Sequence, residues 1–319
     1  MLLGLLIGVA AVLLLPDTAW AWGPATHVYL GTGVLDSLAL LPPAVRSLLA
    51  AYPYDFLYGS VAADISLAKK YVPEGRHCHH WHVGEEIYET ADTERLRAVS
   101  LGYLSHLAAD TVAHNIFVPR QLLLTSSSKA LGHSYWEHRM DIQLGDRYTR
   151  LARNIVMNHD HSAADALFDR VLSATLFSFR TNKRIFRGMI RFQDNDRWQS
   201  VFGAMLQSSR WGLADDVIEA YIVRSFDYIV DYLNNRGEAI AAGLDPIGDE
   251  NLGLSKKIRR MALREGPTQS DSVLNDMAND FFPMPDIPFG YWLKRGGEAD
   301  NVEESGMLTT GGENGSGGM

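Results

Sequence analysis

His106, Asp110 and His114 recur every fourth position in the run Leu101–His114. On an α-helix that spacing stacks them on one face. Asp110 is the only formally charged side chain between Arg97 and Arg120, so the helix reads as buried. A carboxylate alone in such a helix carries a large desolvation cost, which either a bound cation or a set of hydrogen-bonded core histidines relieves. Imidazole and carboxylate are ligands that zinc takes.

Other segments offer the same donor types. His133 and Glu137 lie one helical turn apart, followed by His138 and Asp141. Alone, that pair also fits a solvated helix face. Asp64 is an acid inside the apolar run Gly59–Ile65, where a cap would explain it as well. The cluster His77-Cys78-His79-His80-Trp81-His82 cannot give four ligands to one ion without awkward loop geometry, so one of its histidines is the expected ligand. Cys78 reads as a bystander thiol. In Trp22-Gly-Pro-Ala-Thr-His27, Trp22 becomes the new N-terminus if a leader is removed after Ala21, which frees its backbone amine and carbonyl as ligands.

Helices must position these residues. Apolar spacing predicts them over roughly 26–39, 43–51, 93–117, 128–157, 163–176, 180–192, 214–233 and 254–264, and strand-like alternation is scarce. Pro43 suits a first helical turn, and Asp92-Thr93 offers a cap. Residues 66–82, with Pro73, Gly75 and four histidines, read as a loop. The expected fold is all-α. Its organisation is a leader at 1–21, a metal-binding region at 22–157, a helical region at 158–290 packed on it, and a Gly-rich acidic tail at 291–319 that is too poor in apolar residues to fold alone.

The leader reading rests on the apolar run Leu2–Leu15 followed by the small-x-small site Ala19-Trp20-Ala21. The run is shorter than the roughly 20 residues of a spanning helix. It implies export to the periplasm or beyond. A single cysteine among 319 residues leaves no internal disulfide framework, so metal is a natural brace for the fold. Eleven histidines are present. The net charge of −9 sits heavily in the tail, and nothing in bulk charge suggests a nucleic-acid binder. Arg180, Lys183, Arg184, Arg187 and Arg191 form a basic stripe at helical spacing that reads either as a solvated face or as a contact for anionic lipid headgroups. His159 and His161 precede a helix, where Asp160 or Ser162 serves as a cap.

From Trp22 to Asp141 the order of these residues resembles the zinc-dependent phospholipase C family. The family includes the amino-terminal domain of glycosylphosphatidylinositol-specific phospholipase D and, more distantly, the zinc-dependent single-strand nucleases. The resemblance implies a multi-helix phospholipase C/nuclease-like fold with ligands from several helices and a connecting loop. It implies up to three zinc ions. Asp64, a loop histidine, His106 and Asp110 would hold one, and Asp110 would bridge to a second held by Trp22 and His27. His114, His133 and Glu137 would hold the third, with Asp64 as general base. Spacing from Asp64 favours His79 as the loop ligand, whereas the aromatic neighbour Trp81 favours His80. The three residues between Asp110 and His114 follow the phospholipase D branch, and no match to a choline cradle is evident.

The activity so implied is hydrolysis of a phosphodiester, first among them a phospholipid headgroup ester, with peripheral membrane-surface contact and no nucleic-acid complex. The alternatives are a nuclease using Trp81, Tyr135 and Trp136 to stack bases, and a non-catalytic envelope protein braced by zinc.

Overall fold

The computed structural model describes residues 22–67, 71–125, 129–172, 177–193, 195–209, 212–265 and 271–293. The expected leader, and the tail beyond Leu293, lie outside the described residues. Tyr291–Leu293, at the start of the expected tail, are described and form a turn in which Leu293 N donates to Gly290 O. Among the described residues there is no strand, and the fold is all-α. No described helix is long and apolar enough to cross a membrane.

The first three helices each begin on proline: α1 at Pro24–Asp36, α2 at Pro43–Ala51 and α3 at Pro53–Ala62. Proline is suited to this position because its missing N–H has no helical partner there and its φ is already helical. A 3₁₀ turn at Ala63–Ile65 ends α3 and carries Asp64. After the histidine loop come α4 at Trp81–Thr90 and the central α5 at Glu94–Val112. Thr93 caps α5, its hydroxyl accepting from Leu96 N at 3.2 Å.

The chain then passes through a π-helical turn, Ala113–Phe117, into α6 at Val118–Thr125. Next come α7 at Lys129–Gln143 and α8 at Asp146–Asn158. The sequence pattern suggested one helix over 128–157; the structure breaks it at Gly145, whose φ of +90° leaves the helical region and favours glycine. The remaining helices are α9 at Ser162–Val171, α10 at Phe179–Gln193, α11 at Asp196–Ser208, α12 at Asp215–Asn235, α13 at Asp249–Glu265 and α14 at Asp271–Phe281.

The most extensive packing joins α3 to α5, and α12 and α4 also lie along α5. Every residue from Ala98 to Val112 is buried, so α5 is the axis of the core. Two glycines set the α3–α5 approach. A Cβ on Gly59 would fall 1.9 Å from Val99 O, and one on Gly102 would fall 2.0 Å from Phe56 O. Only bare backbones fit at this crossing. His161, placed by sequence beside a cap, is structural: its Nε2 lies 2.7 Å from Ile155 O and its ring stacks on Tyr58. The N-cap position of α9 is His161 itself, without a side-chain cap, and Asp160 one residue earlier accepts from Ser162 N at 3.0 Å in the turn that leads into the helix.

Candidate metal centre

The α3–α5 crossing brings Ser60, Asp64, His106 and Asp110 to one place, α1 adds His27, and the loop before α4 adds His79. All six are buried. His106 Nδ1 lies 2.9 Å from Ser60 O, which directs Nε2 inward when Nδ1 carries the ring proton. There His106 Nε2 stands 3.1 Å from Asp110 Oδ2, 3.1 Å from His79 Nε2 and 3.9 Å from Asp64 Oδ1. His79 Nε2 is 3.2 Å from Asp110 Oδ2 and 3.6 Å from Asp64 Oδ1. On the other side of Asp110, His27 Nε2 lies 3.3 Å from Oδ1, and its ring stacks on His106 at 3.8 Å.

These separations fit a cation. Four ligands placed tetrahedrally at about 2.0–2.1 Å from zinc are themselves about 3.3–3.4 Å apart. The sets Asp64, His79, His106 and His27, His106, Asp110 each bring one ligand atom per residue within 4.8 Å of one another. Both oxygens of Asp110 and the Nε2 of His27 are sealed from solvent without a well-formed hydrogen bond, an arrangement costly for polar atoms unless a further charge satisfies them. Burial works to raise the pKa of Asp110, but the charge and contacts of His106, with contacts from His27 and His79, outweigh it and hold the carboxyl well below its ordinary range. Burial first, and then the neighbouring His106 ring, pull His27 below the ordinary imidazole value. Zinc ligation requires an ionised carboxylate and imidazoles without the second proton, and the shifts of Asp110 and His27 run in those directions.

A second group lies beyond the π turn. His133 Nε2 is 3.1 Å from Glu137 Oε1, and the rings of His114 and His133 meet edge to face at 5.2 Å. All three residues are buried. The sequence pattern put His106, Asp110 and His114 on one helical face. The structure keeps the first two together and places His114 beside His133, because the π turn begins at Ala113 and re-aims the residues that follow Asp110.

Of the two loop candidates, His79 joins the cluster and His80 does not, among the described residues. His80 is the half-buried residue preceding α4. Tyr103, a residue without a part in the sequence reading, fixes this choice: its hydroxyl donates to Cys78 O at 2.5 Å, pinning the loop one residue before His79. Cys78 Sγ lies 3.2 Å from His79 Nδ1, so the thiol touches the ring rather than standing apart. Trp22 is fully buried, its indole donating to Ala109 O at 3.1 Å and its ring packing on Phe117. That puts the start of α1 beside the last turn of α5.

Asp141, distant in sequence, caps α1. Its carboxylate accepts from Thr26 N at 2.9 Å, Thr26 Oγ1 at 2.7 Å and Ala25 N at 3.3 Å. Burial pushes the carboxyl up to about 6 in spite of those three donors. Replacement by alanine should cost about 2–3 kcal/mol, the worth of a long-range cap with its partner hydroxyl left unsatisfied. Because the folded chain binds this proton more tightly than the unfolded one, the stability contributed by the protonated group is lost as pH rises from 3.8 to about 6. Chemical denaturation on either side of that window should show this slope in the wild type and its absence in D141A.

A set of imidazoles and carboxylates buried around one shared aspartate is the donor chemistry of a zinc-dependent hydrolase. Residues 26–182 match the family model described as zinc dependent phospholipase C, and this region is that of a zinc-dependent phospholipase-type hydrolase. Comparison with curated proteins and with solved structures gave no match.

Proposed function

We propose that the protein is an exported zinc-dependent phosphodiesterase of phospholipase C type, acting on lipid headgroup phosphodiesters. The observation that carries this reading is the pairing of the Asp110 cluster with the His114 group across a single π turn. In this reading Asp64, His79, His106 and Asp110 would hold one zinc. Asp110, with His27 and the backbone amine and carbonyl of Trp22, would serve a second. His114, His133 and Glu137 would hold a third.

Zinc bound there supplies Lewis-acid polarisation of phosphoryl oxygens and acidifies water near neutral pH. Asp64 acts as general base, taking the proton of the attacking water. Ser60 O and Tyr103 hold the His106 and His79 side chains to the ligand geometry, and the apolar walls of α3 and α5 exclude bulk water. Water is consumed and one P–O ester bond is broken, leaving a phosphomonoester and an alcohol.

The disposition of the aromatic residues supports lipid over single-stranded nucleic acid. Trp136 is buried, Trp81 stacks on Tyr232, and the Tyr135 hydroxyl donates to Ser209 and accepts from Arg139. The rings that a base-stacking enzyme would present are thus engaged internally. Of the basic stripe, Lys183 pairs with Asp165 and Arg187 with Met157 O, whereas Arg180, Arg184 and Arg191 are exposed, as is Phe192, which follows Arg191 in the chain. These residues suit a peripheral contact with an anionic membrane.

The test is zinc content of protein recovered from an exporting host, with hydrolysis of headgroup-labelled phospholipid vesicles and of single-stranded DNA. Near three zincs with chelator-sensitive lipid turnover is the expected result. DNA turnover alone would move the reading to a nuclease, and zinc without turnover on either would leave a structural role. A separate variant with one extra residue before Trp22 should bind one zinc fewer. An α-amine with a pKa of about 7.7–8.0 must lose a proton to ligate, and an internal amide cannot substitute for it. Full zinc content in that variant would refute the amine's role.

A further inference from the structure

The turn Leu244–Gly248 lies outside the stretch that matches the family model, between the 3₁₀ segment Ile240–Gly243 and α13. Three consecutive carbonyls of this turn meet the rim of the metal centre. Leu244 O accepts from Trp81 Nε1 at 2.9 Å, Asp245 O accepts from Asn115 Nδ2 at 2.8 Å, and Pro246 O lies 2.5 Å from His114 Nδ1. The turn is held from within. The exposed Asp245 folds its carboxylate back to accept from Ile247 N and Gly248 N, each at 3.0 Å. Asn251 completes the seam by donating to Asn115 Oδ1 at 3.0 Å.

Gly248 is pressed against the histidine itself. Its φ is +62°, and a Cβ there would lie 2.6 Å from both His114 Cβ and His114 O. A neutral imidazole carries one ring proton, and a carbonyl can only accept. Facing Pro246 O, the proton belongs on Nδ1, and Nε2 is then the nitrogen with a lone pair to offer.

We propose that the Leu244–Gly248 turn is the positioning element for His114, setting its ring plane and tautomer so that Nε2 is presented to a cation shared with His133 and Glu137. The inference rests on the reading of His114 as a ligand. The carbonyl of Pro246 does for His114 what Ser60 O does for His106, so each ligand group has one histidine locked through its Nδ1. An outer-shell partner of this kind typically changes metal affinity by about 10–100-fold. The turn therefore gives the C-terminal half a defined part in the site: it sets how tightly one ion of the set is held.

Zinc titration of the full chain against a competing chelator tests this, using H114A, D245A, D245N and G248A. H114A should lose one ion. D245A, which frees the N–H groups of the turn, and G248A, which pushes it off the histidine, should keep that ion but bind it about 10–100-fold more weakly. The other ions should be held as in the wild type. D245N, which retains one acceptor oxygen, should recover part of the loss. In the zinc-free protein, ¹⁵N NMR should find the His114 ring protonated at Nδ1, and D245A should shift it toward the other tautomer.

A purely structural turn would lower the melting temperature of the zinc-free chain and leave every zinc affinity unchanged. That result in D245A, with H114A still losing its ion, would overturn the proposal and spare the ligand reading. Retention of all zinc by H114A would overturn the ligand reading itself. Should G248A fail to fold, D245A decides alone, since its side chain is at the surface.

Discussion

Asp110→Asn should bind less zinc than the wild type and lose at least about 100-fold in turnover, because even outer-shell changes cost metal sites about 10–100-fold and this residue stands at the centre of the donor set. The substitution preserves shape and removes charge. Asp110 is fully buried with ring nitrogens of His27, His79 and His106 at 3.1–3.3 Å around its two oxygens. Its two oxygens reach both His27 of α1 and His79 of the histidine loop. An asparagine amide nitrogen would face at least one of those rings as a donor, and a cation beside it would meet a dipole where it needs a negative charge.

Stability separates this effect from misfolding. A ligand that binds only the folded chain stabilises it by about 2.7 kcal/mol at a hundredfold excess over Kd. Wild-type protein should gain melting temperature with zinc and D110N should gain little, while the two zinc-free proteins melt closer together than the two zinc-loaded ones. Removing a buried charge and removing its attraction to the histidines act in opposite senses on the zinc-free chain, so the zinc-dependent increment is the diagnostic quantity. Full zinc content and turnover in D110N would sink the shared-ligand assignment.

Most donor residues of the candidate site were legible in the sequence because ligation needs particular side chains, and although the His106 helix alone fits hydrogen-bonded core histidines as well, the ordered set of donors over several segments points to a metal. The choice between His79 and His80 was not legible. It depends on Tyr103 holding Cys78 O, a contact between residues 25 apart that leaves no trace in either local pattern. Backbone partners were still harder to foresee: Ser60 O and Pro246 O orient His106 and His114, and every residue has a carbonyl. Asp141 was visible only as an acid near Glu137, since its cap partners stand 115 and 116 residues earlier.

The helices divide in the same way. Those with one wet face, such as α2 and α12, show the apolar period that marks them. Helix α3 does not, because every residue from Asp55 to Ala62 is buried; a helix enclosed on all sides has no polar face to set a period. The signal that was available was glycine. Gly59 and Gly102 each sit inside an apolar helical run, where glycine costs about 1 kcal/mol relative to alanine unless packing requires it.

Gly102→Ala should therefore be strongly damaging for a single added methyl, destabilising by about 3–5 kcal/mol, at or beyond the upper end of ordinary overpacking. The added Cβ would lie 2.0 Å from Phe56 O, 2.9 Å from Ser60 N and 3.0 Å from Gly59 Cα. All three are backbone atoms, so no side chain can swing aside, and α3 and α5 must separate. Separation withdraws Ser60 O from His106 Nδ1 and carries Asp64 away from His79, so zinc affinity should fall together with stability. The same substitution at Gly188 in α10, where a Cβ meets nothing within 4 Å, should stabilise by about 0.5–1 kcal/mol through helix propensity alone. Denaturant midpoints of the two variants, each with and without zinc, check both signs. Tolerance of alanine at Gly102 with wild-type zinc binding would mean that the close crossing of α3 and α5 is not what assembles the donor set.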